Sequence, residues 1–159
     1  MTEHEVHTYR SELRWAGSTG VGYEGYRRAH DVAVPPAAAD LHLSGDPAFG
    51  GDPSLLNPEQ LLVVAASSCQ LLSFLAVAAR ARLDVEDYTD EAVGVMPTGD
   101  RVLWITRIDL HPRITLADTD RERPDAARLE HLVEVAHREC YIANSLRTEV
   151  LVHPLFAWR

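Results

Sequence analysis

A chain of 159 residues, 46% of them hydrophobic, is sized for one domain with its own core and has nothing of the composition of a disordered tract. Its formal net charge of −9, with no cluster of basic residues, excludes the positive footprint that nucleic acid or an anionic membrane surface requires, so the partner expected is a small molecule. Two cysteines and no leader-like segment point to a cytoplasmic setting, where paired thiols serve catalysis or redox sensing more often than a structural cross-link.

In chain order, residues 1–34 carry alternating patterns separated by Gly17, Gly20, Gly22 and Gly25, which predict two or three short antiparallel strands joined by tight turns. Asp40 to Ser44 offers another strand, and Gly45 to Leu56, rich in Gly, Pro and Asp, predicts an irregular loop of the kind that lines sites. A long helix follows from Asn57 to Leu83. Asn57 suits the N-cap, Pro58 the first helical position, and Gln60 the place from which a capping-box side chain reaches back. After it, Val85 to Met96 and Arg101 to Leu116 predict a hairpin of long strands turning at Pro97–Asp100. A polar connection over Ala117 to Arg123 leads to a second helix that Pro124 opens and whose apolar spacing runs to Cys140. Asn144-Ser145 could begin a further turn, and Thr148 to His153 predicts a last strand before Pro154. No repeat or linker divides the chain, so one domain over 1–159 is expected.

The central helix organises everything else. No residue between Leu61 and Ala79 is charged, and apolar side chains occupy all sides, so the helix should be buried around most of its circumference. At ~25 residues and ~37 Å it is too long and too apolar for one small domain to hide, which predicts a second copy of the chain against it. The run is long enough for a membrane span, but Ser67, Ser68, Gln70 and Ser73 occupy its centre and no aromatic belt flanks it, so a soluble core helix is expected. Cys69 lies at its middle. A thiol there is ordinarily an inert small hydrophobe, and apolar burial raises a thiol pKa, so acting as a nucleophile requires a nearby cation. Arg28, or else its neighbour Arg27, is the candidate, with Glu59 as the carboxylate to hold the guanidinium. Glu59 and Cys69 stand ten positions apart, ~15 Å along the helix and ~80° around it, so they share a site only if a second chain contributes.

Three motifs resemble those of the OsmC/Ohr family of thiol peroxidases: Asn57-Pro58-Glu59-Gln60-Leu61-Leu62 followed by Cys69; Ala136-His137 followed by Cys140-Tyr141-Ile142-Ala143-Asn144-Ser145; and Trp15 with Gly17 in the opening strand. Tyr26, Arg28 and His30, with the Ser44–Asp52 segment, further resemble a branch distinct from OsmC and Ohr proper. Relatives in that branch often place His after the first cysteine, where this chain has Gln70. The resemblance implies an α+β fold, an intertwined homodimer whose antiparallel-rich sheets wrap central buried helices in the order three strands, helix, two strands, helix, strand. It implies a peroxidatic Cys69, a resolving Cys140, activation by Arg28 and Glu59, and an apolar substrate lining for which Phe49, Leu72 and Tyr141 are the candidates.

The expected activity is reduction of organic, including fatty-acid, hydroperoxides in oxidative-stress defence, with no bound cofactor and an external dithiol or lipoyl-type reductant. The eight histidines show no ligand spacing and no Cys-x-x-Cys exists, so no metal site is expected. The glycines after the first strand open no helix, and no Gly-x-Ser-x-Gly turn occurs, so neither a nucleotide loop nor a hydrolase triad is supported. His137, one turn before Cys140, is expected to pack or face solvent rather than tune the thiol. The alternative from a different class is a non-enzymatic carrier of apolar ligands with idle cysteines, and the rate of thiol alkylation against pH separates the two.

Overall fold

The computed structural model describes residues 6–99, 102–119 and 122–159, and the chain divides into two compact units, one ending at Pro58 and one starting at Glu59. The first unit holds an antiparallel sheet of β1 (Glu12–Arg14), β2 (His30–Ala33) and β3 (Leu41–Leu43), in that order. Its pairing is the local, hairpin-compatible kind that the alternating pattern calls for. The glycine-rich segment between β1 and β2 makes a short 3-10 turn, Thr19–Val21, whose first N–H groups are met by Ser18 Oγ accepting from Gly20 N at 3.2 Å.

The Gly45–Leu56 segment is more ordered than its composition suggests. Asp46 Oδ1 accepts the Ala48 N–H at 2.7 Å and its carbonyl accepts those of Phe49 and Gly51, closing a second 3-10 turn over Pro47–Phe49. Gly50 leaves that turn with φ +78°, a left-handed conformation that a residue without Cβ adopts at no steric cost. Gly51 is required for a different reason: a Cβ there would lie 1.7 Å from the Gly45 carbonyl oxygen. Leu43 then bridges Leu56 and returns the chain to the start of the long helix.

That helix, α1 (Pro58–Arg80), is 23 residues long, with Glu59 in its first turn and Arg80 in its last, each the charge the helix dipole favours there. Leu83 N–H reaches back to the Ala78 carbonyl and Arg82 N–H to Ala79, the paired bonds that close a helix through a left-handed residue. Here that residue is Arg82, φ +58°, where glycine is usual. A Cβ in this conformation costs about 1–2 kcal/mol. Arg82→Gly should therefore stabilise the chain by up to about 1 kcal/mol after the extra freedom of the unfolded glycine is subtracted, which is ~2–4 °C in thermal midpoint by calorimetry.

In the second unit the two predicted long strands are each broken in two, giving β4 (Val85–Asp90), β5 (Val93–Val95), β6 (Arg107–Leu110) and β7 (Pro112–Leu116). The antiparallel pairing is as expected, β4 with β7 and β5 with β6, but in two different sheets. The first strand breaks at Glu91-Ala92, and the second at His111-Pro112, where proline cannot donate to a continuing ladder. The same dipeptide recurs at His153-Pro154, between β8 (Glu149–Val152) and β9 (Leu155–Trp158). β6 runs parallel to β8 and β7 parallel to β9 in matching register, and the two histidine rings stack at 4.9 Å. β9 corrects the expectation that strand structure stops before Pro154.

α2 (Ala126–Arg138) supplies the crossover that parallel pairing needs. Asp125 caps it, accepting the Arg128 N–H at 2.7 Å, and Leu129, Leu132, Val133 and Ala136 bury one face at helical spacing. It ends at Arg138, short of Cys140, which instead begins α3 (Tyr141–Ser145). Asn144 and Ser145 therefore close a turn that was expected to start with them. One core cluster joins Phe74, Val77 and Ala78 of α1 to α2 and to Ile114 and Leu116 of β7; the other joins Ala66 of α1 to Ile105, Ile108, Leu110 and Val150.

α1 is not buried around its circumference in the single chain. Ala66, Gln70, Phe74, Val77 and Ala78 face the core, while Val64, Ser68, Leu72, Leu75, Ala76 and Ala79 form an uncharged, exposed stripe at the same helical spacing. Its length and composition pass the test for a membrane span, as a soluble core helix also does, and its inner stripe is packed in both core clusters.

Candidate active site

Of the residues that the sequence singles out, the structure brings the two cysteines together. Cys69 stands at mid-helix, partly exposed; Cys140, 1% exposed, is carried up to it by the end of α2. Cys69 Sγ accepts the Ile142 N–H from the first turn of α3 at 3.5 Å, and Cys69 lies close enough to Cys140 to act on its thiol. Both thiols are free. Their separation in sequence is 71 residues, and what closes it is the packing of α2 on the inner stripe of α1.

The two sulfurs are chemically unequal. Burial pushes the Cys140 thiol from its ordinary 9.0 up to about 11; the Cys69 contact adds to the rise, and the Ala143 and Ile142 N–H groups offset part of it. Cys140 thus stays a protonated thiol at neutral pH, while the exposed member of the pair is the one a dissolved reagent reaches. The raised value has a consequence for stability. The folded chain holds the Cys140 proton more tightly than the unfolded chain, so this contribution is intact below about pH 9 and is lost as pH rises from there through about 11. Denaturant melts across that window should show a fall in stability in the wild type that Cys140→Ala lacks.

Arg28 and Glu59 belong to different units. Arg28 is half-buried: Nη1 donates to the Tyr26 carbonyl at 3.1 Å and Nη2 to the Tyr23 carbonyl at 2.9 Å, and its guanidinium carbon lies over both tyrosine rings, 4.2 Å from that of Tyr26 and 4.9 Å from that of Tyr23. Within its own unit the guanidinium is thus held by carbonyls and rings. Arg27, the other candidate, is exposed, and its carbonyl accepts from Trp15 Nε1–H at 2.7 Å. Arg28 lines an apolar-walled cavity of about 420 Å³ with Leu13, Trp15, Tyr26 and His30. Glu59 Oε2 is buried with no hydrogen-bond partner among the described residues.

The three expected substrate contacts are all exposed: Phe49 in the first unit, Leu72 on the open stripe of α1, and Tyr141, 81% exposed, beside Cys140. Three further residues of the second unit place polar atoms in the interior, and of these Tyr88 escaped sequence reasoning. Gln70 is buried in the inner stripe with no partner for Oε1 among the described residues, as is the hydroxyl of Tyr88, and burial, with the charges of Asp90 and Cys140, pushes the Tyr88 phenol upward. His137 Nδ1 is likewise buried and without a hydrogen-bond partner among the described residues, while its carbonyl accepts the Cys140 N–H at 3.2 Å. A run of apolar residues carries no signal that one glutamine in it points inward; the two tyrosines around Arg28 could have been found from the Tyr23–Tyr26–Arg28 spacing. Among the described residues no cluster of His, Cys, Asp and Glu has the form of a metal site.

Comparison with known proteins agrees with this architecture. The profile of the OsmC-like protein family matches residues 51–153, and the chain belongs to that family. It is similar to the structure of an OsmC-like protein of unknown function from Vibrio cholerae O1, with 28% identity and a TM-score of 0.82 over 94% of this chain and 100% of that one. A structure from Legionella pneumophila described as an organic hydroperoxide resistance protein OsmC matches 97% of this chain and 99% of its own at 19% identity and a TM-score of 0.70, a likeness of fold. Among curated proteins, the uncharacterized protein YmaD of Bacillus subtilis is 27% identical over 94 residues, 59% of this chain and 62% of that relative's length.

Proposed function

We propose that the chain is a thiol-dependent reductase of organic hydroperoxides that works as a cytoplasmic homodimer. The observation that supports this most is the pairing of a partly exposed Cys69 with a buried, protonated Cys140 beside it. The Cys69 thiolate attacks the outer oxygen of the O–O bond; that bond breaks, the substrate leaves as an alkoxide that takes a proton, and Cys69 becomes a sulfenic acid. The Cys140 sulfur then displaces the hydroxyl, its own proton leaving with it as water, and the disulfide is returned to two thiols by an external dithiol, which is oxidised in turn. No bound cofactor is needed.

The cation for the thiolate is Arg28, with Glu59 as its anionic counterpart, and a second chain brings them to the site. The exposed stripe of α1 motivates the dimer, since an uncharged strip running from Val64 to Ala79 is the kind of surface soluble chains cover. Phe49, Leu72 and Tyr141 offer the apolar contact that favours an alkyl or fatty-acyl hydroperoxide over hydrogen peroxide. The description of the Legionella relative as a hydroperoxide resistance protein supports the same reading. Incubating the purified chain with cumene hydroperoxide and dithiothreitol tests it: catalytic consumption of both is expected. Consumption no faster than with dithiothreitol alone would leave a carrier of apolar ligands.

A further inference from the structure

The Tyr26–His30 and Ser44–Asp52 segments form one device around Arg28, and its purpose follows if Arg28 is the cation that activates Cys69, as proposed above. We propose that Tyr23, Tyr26 and Gly50 are positioning residues that lock the Arg28 guanidinium in place before thiolate or substrate meets it. Each tyrosine holds it twice, by its carbonyl in the guanidinium plane and by its ring near the guanidinium carbon. The rings themselves meet edge to face at 6.1 Å, so neither is free to swing away alone.

Gly50 completes the clamp by what it lacks. A Cβ at that position would lie 2.8 Å from Arg28 Cζ, 2.9 Å from Nη1 and 3.0 Å from Nη2, so the guanidinium occupies the space of the missing side chain. A Cβ at Gly45 would lie 3.6 Å from Arg28 Cδ, an ordinary contact, and the close approach of Gly45 to Gly51 fixes the loop that presents Gly50. The backbone is pinned as well: His30 Nδ1 bonds the Arg28 carbonyl at 2.8 Å, next to the Trp15 bond on Arg27. Two carbonyls use only part of the donor fork, which leaves N–H groups for an anion.

A flexible arginine loses side-chain entropy each time it engages a charge, whereas a clamped one has lost it on folding. The ammonium of lysine cannot fill this clamp, because it lacks the planar fork that meets two carbonyls and lies over two rings.

The test uses the full chain with Cys140→Ser, so that Cys69 is the one thiol, and follows its alkylation by iodoacetamide against pH. Arg28→Ala sets the full effect, a shift of the profile to higher pH and about tenfold slower alkylation at pH 7 for a shift of one unit. Tyr26→Leu and Gly50→Ala are expected to shift it the same way by several-fold, while Tyr26→Phe, which keeps ring and carbonyl, holds the unsubstituted profile, and Arg28→Lys does not rescue. A merely structural loss would lower the amount of folded protein without moving the pH midpoint. If Gly50→Ala does not fold, the contrast between Tyr26→Leu and Tyr26→Phe decides alone. Should Arg28→Ala move the profile while Tyr26→Leu leaves it in place, the clamp is overturned and the role of Arg28 stands. Should Arg28→Ala itself move nothing, the reading beneath the clamp is overturned with it.

Discussion

Cys69→Ser is expected to lower the rate of cumene hydroperoxide reduction on the order of a thousandfold or more, to the rate of the reductant alone, because a serine hydroxyl with no base beside it has no means of reaching its anion at neutral pH. Cys140 cannot take over. Its sulfur is 1% exposed and burial pushes its thiol up to about 11, so at pH 7 it offers almost no thiolate. The opposite substitution should behave differently. Cys140→Ser keeps the first half-reaction, giving one equivalent of alcohol and a sulfenic acid on Cys69 that a dimedone-type reagent traps, and then turns over only as fast as dithiothreitol reaches that oxidised sulfur. Equal losses in the two variants would contradict the assignment of roles, since the geometry makes one sulfur accessible and the other sheltered.

The second large effect concerns α1. Leu72 is 63% exposed at the centre of the uncharged stripe, between Ser68 and Ala76 on the same face. In the proposed homodimer this stripe packs against its symmetry mate, so Leu72→Glu places two like charges close together in an apolar seam, at a cost of several kcal/mol. Soluble expression should be lost rather than converted to a monomer, because a chain left with that strip in water has no folded alternative to fall back on. Sedimentation of the wild type is the complementary check: a dimer at micromolar concentration is expected, and a stable, well-folded monomer would remove both the paired helices and the route by which Arg28 and Glu59 reach Cys69.

What the sequence made legible was whatever rests on local pattern. The N-terminal β1–β2–β3 sheet, the start of α1 at Pro58 and the apolar spacing of α2 are signalled by neighbours within a turn or two, and each stands where expected. The proximity of Cys69 and Cys140 was legible only through resemblance, since no local rule joins positions 71 apart. The parallel pairing of β6 with β8 and β7 with β9 could not be read at all, because a ladder between segments separated by a whole helix leaves no mark in either. It does leave an echo, the repeated His-Pro step at 111–112 and 153–154, which breaks both strand pairs at the same level. The order in the Gly45–Leu56 loop was hidden for another reason: Gly and Pro mark a turn, but its rigidity comes from Asp46, Ser44 and Asp52 bonding to backbone N–H groups.

If Cys69 and Cys140 are a working pair, one molar equivalent of cumene hydroperoxide oxidises both in the reduced chain. Free thiols counted before and after, with the oxidised peptides mapped by mass spectrometry without reduction, should fall from two per chain to none, and the bond found should join Cys69 to Cys140 within one chain. Two thiols remaining after the hydroperoxide is added, or a disulfide linking Cys69 to Cys69 of another chain, would contradict it.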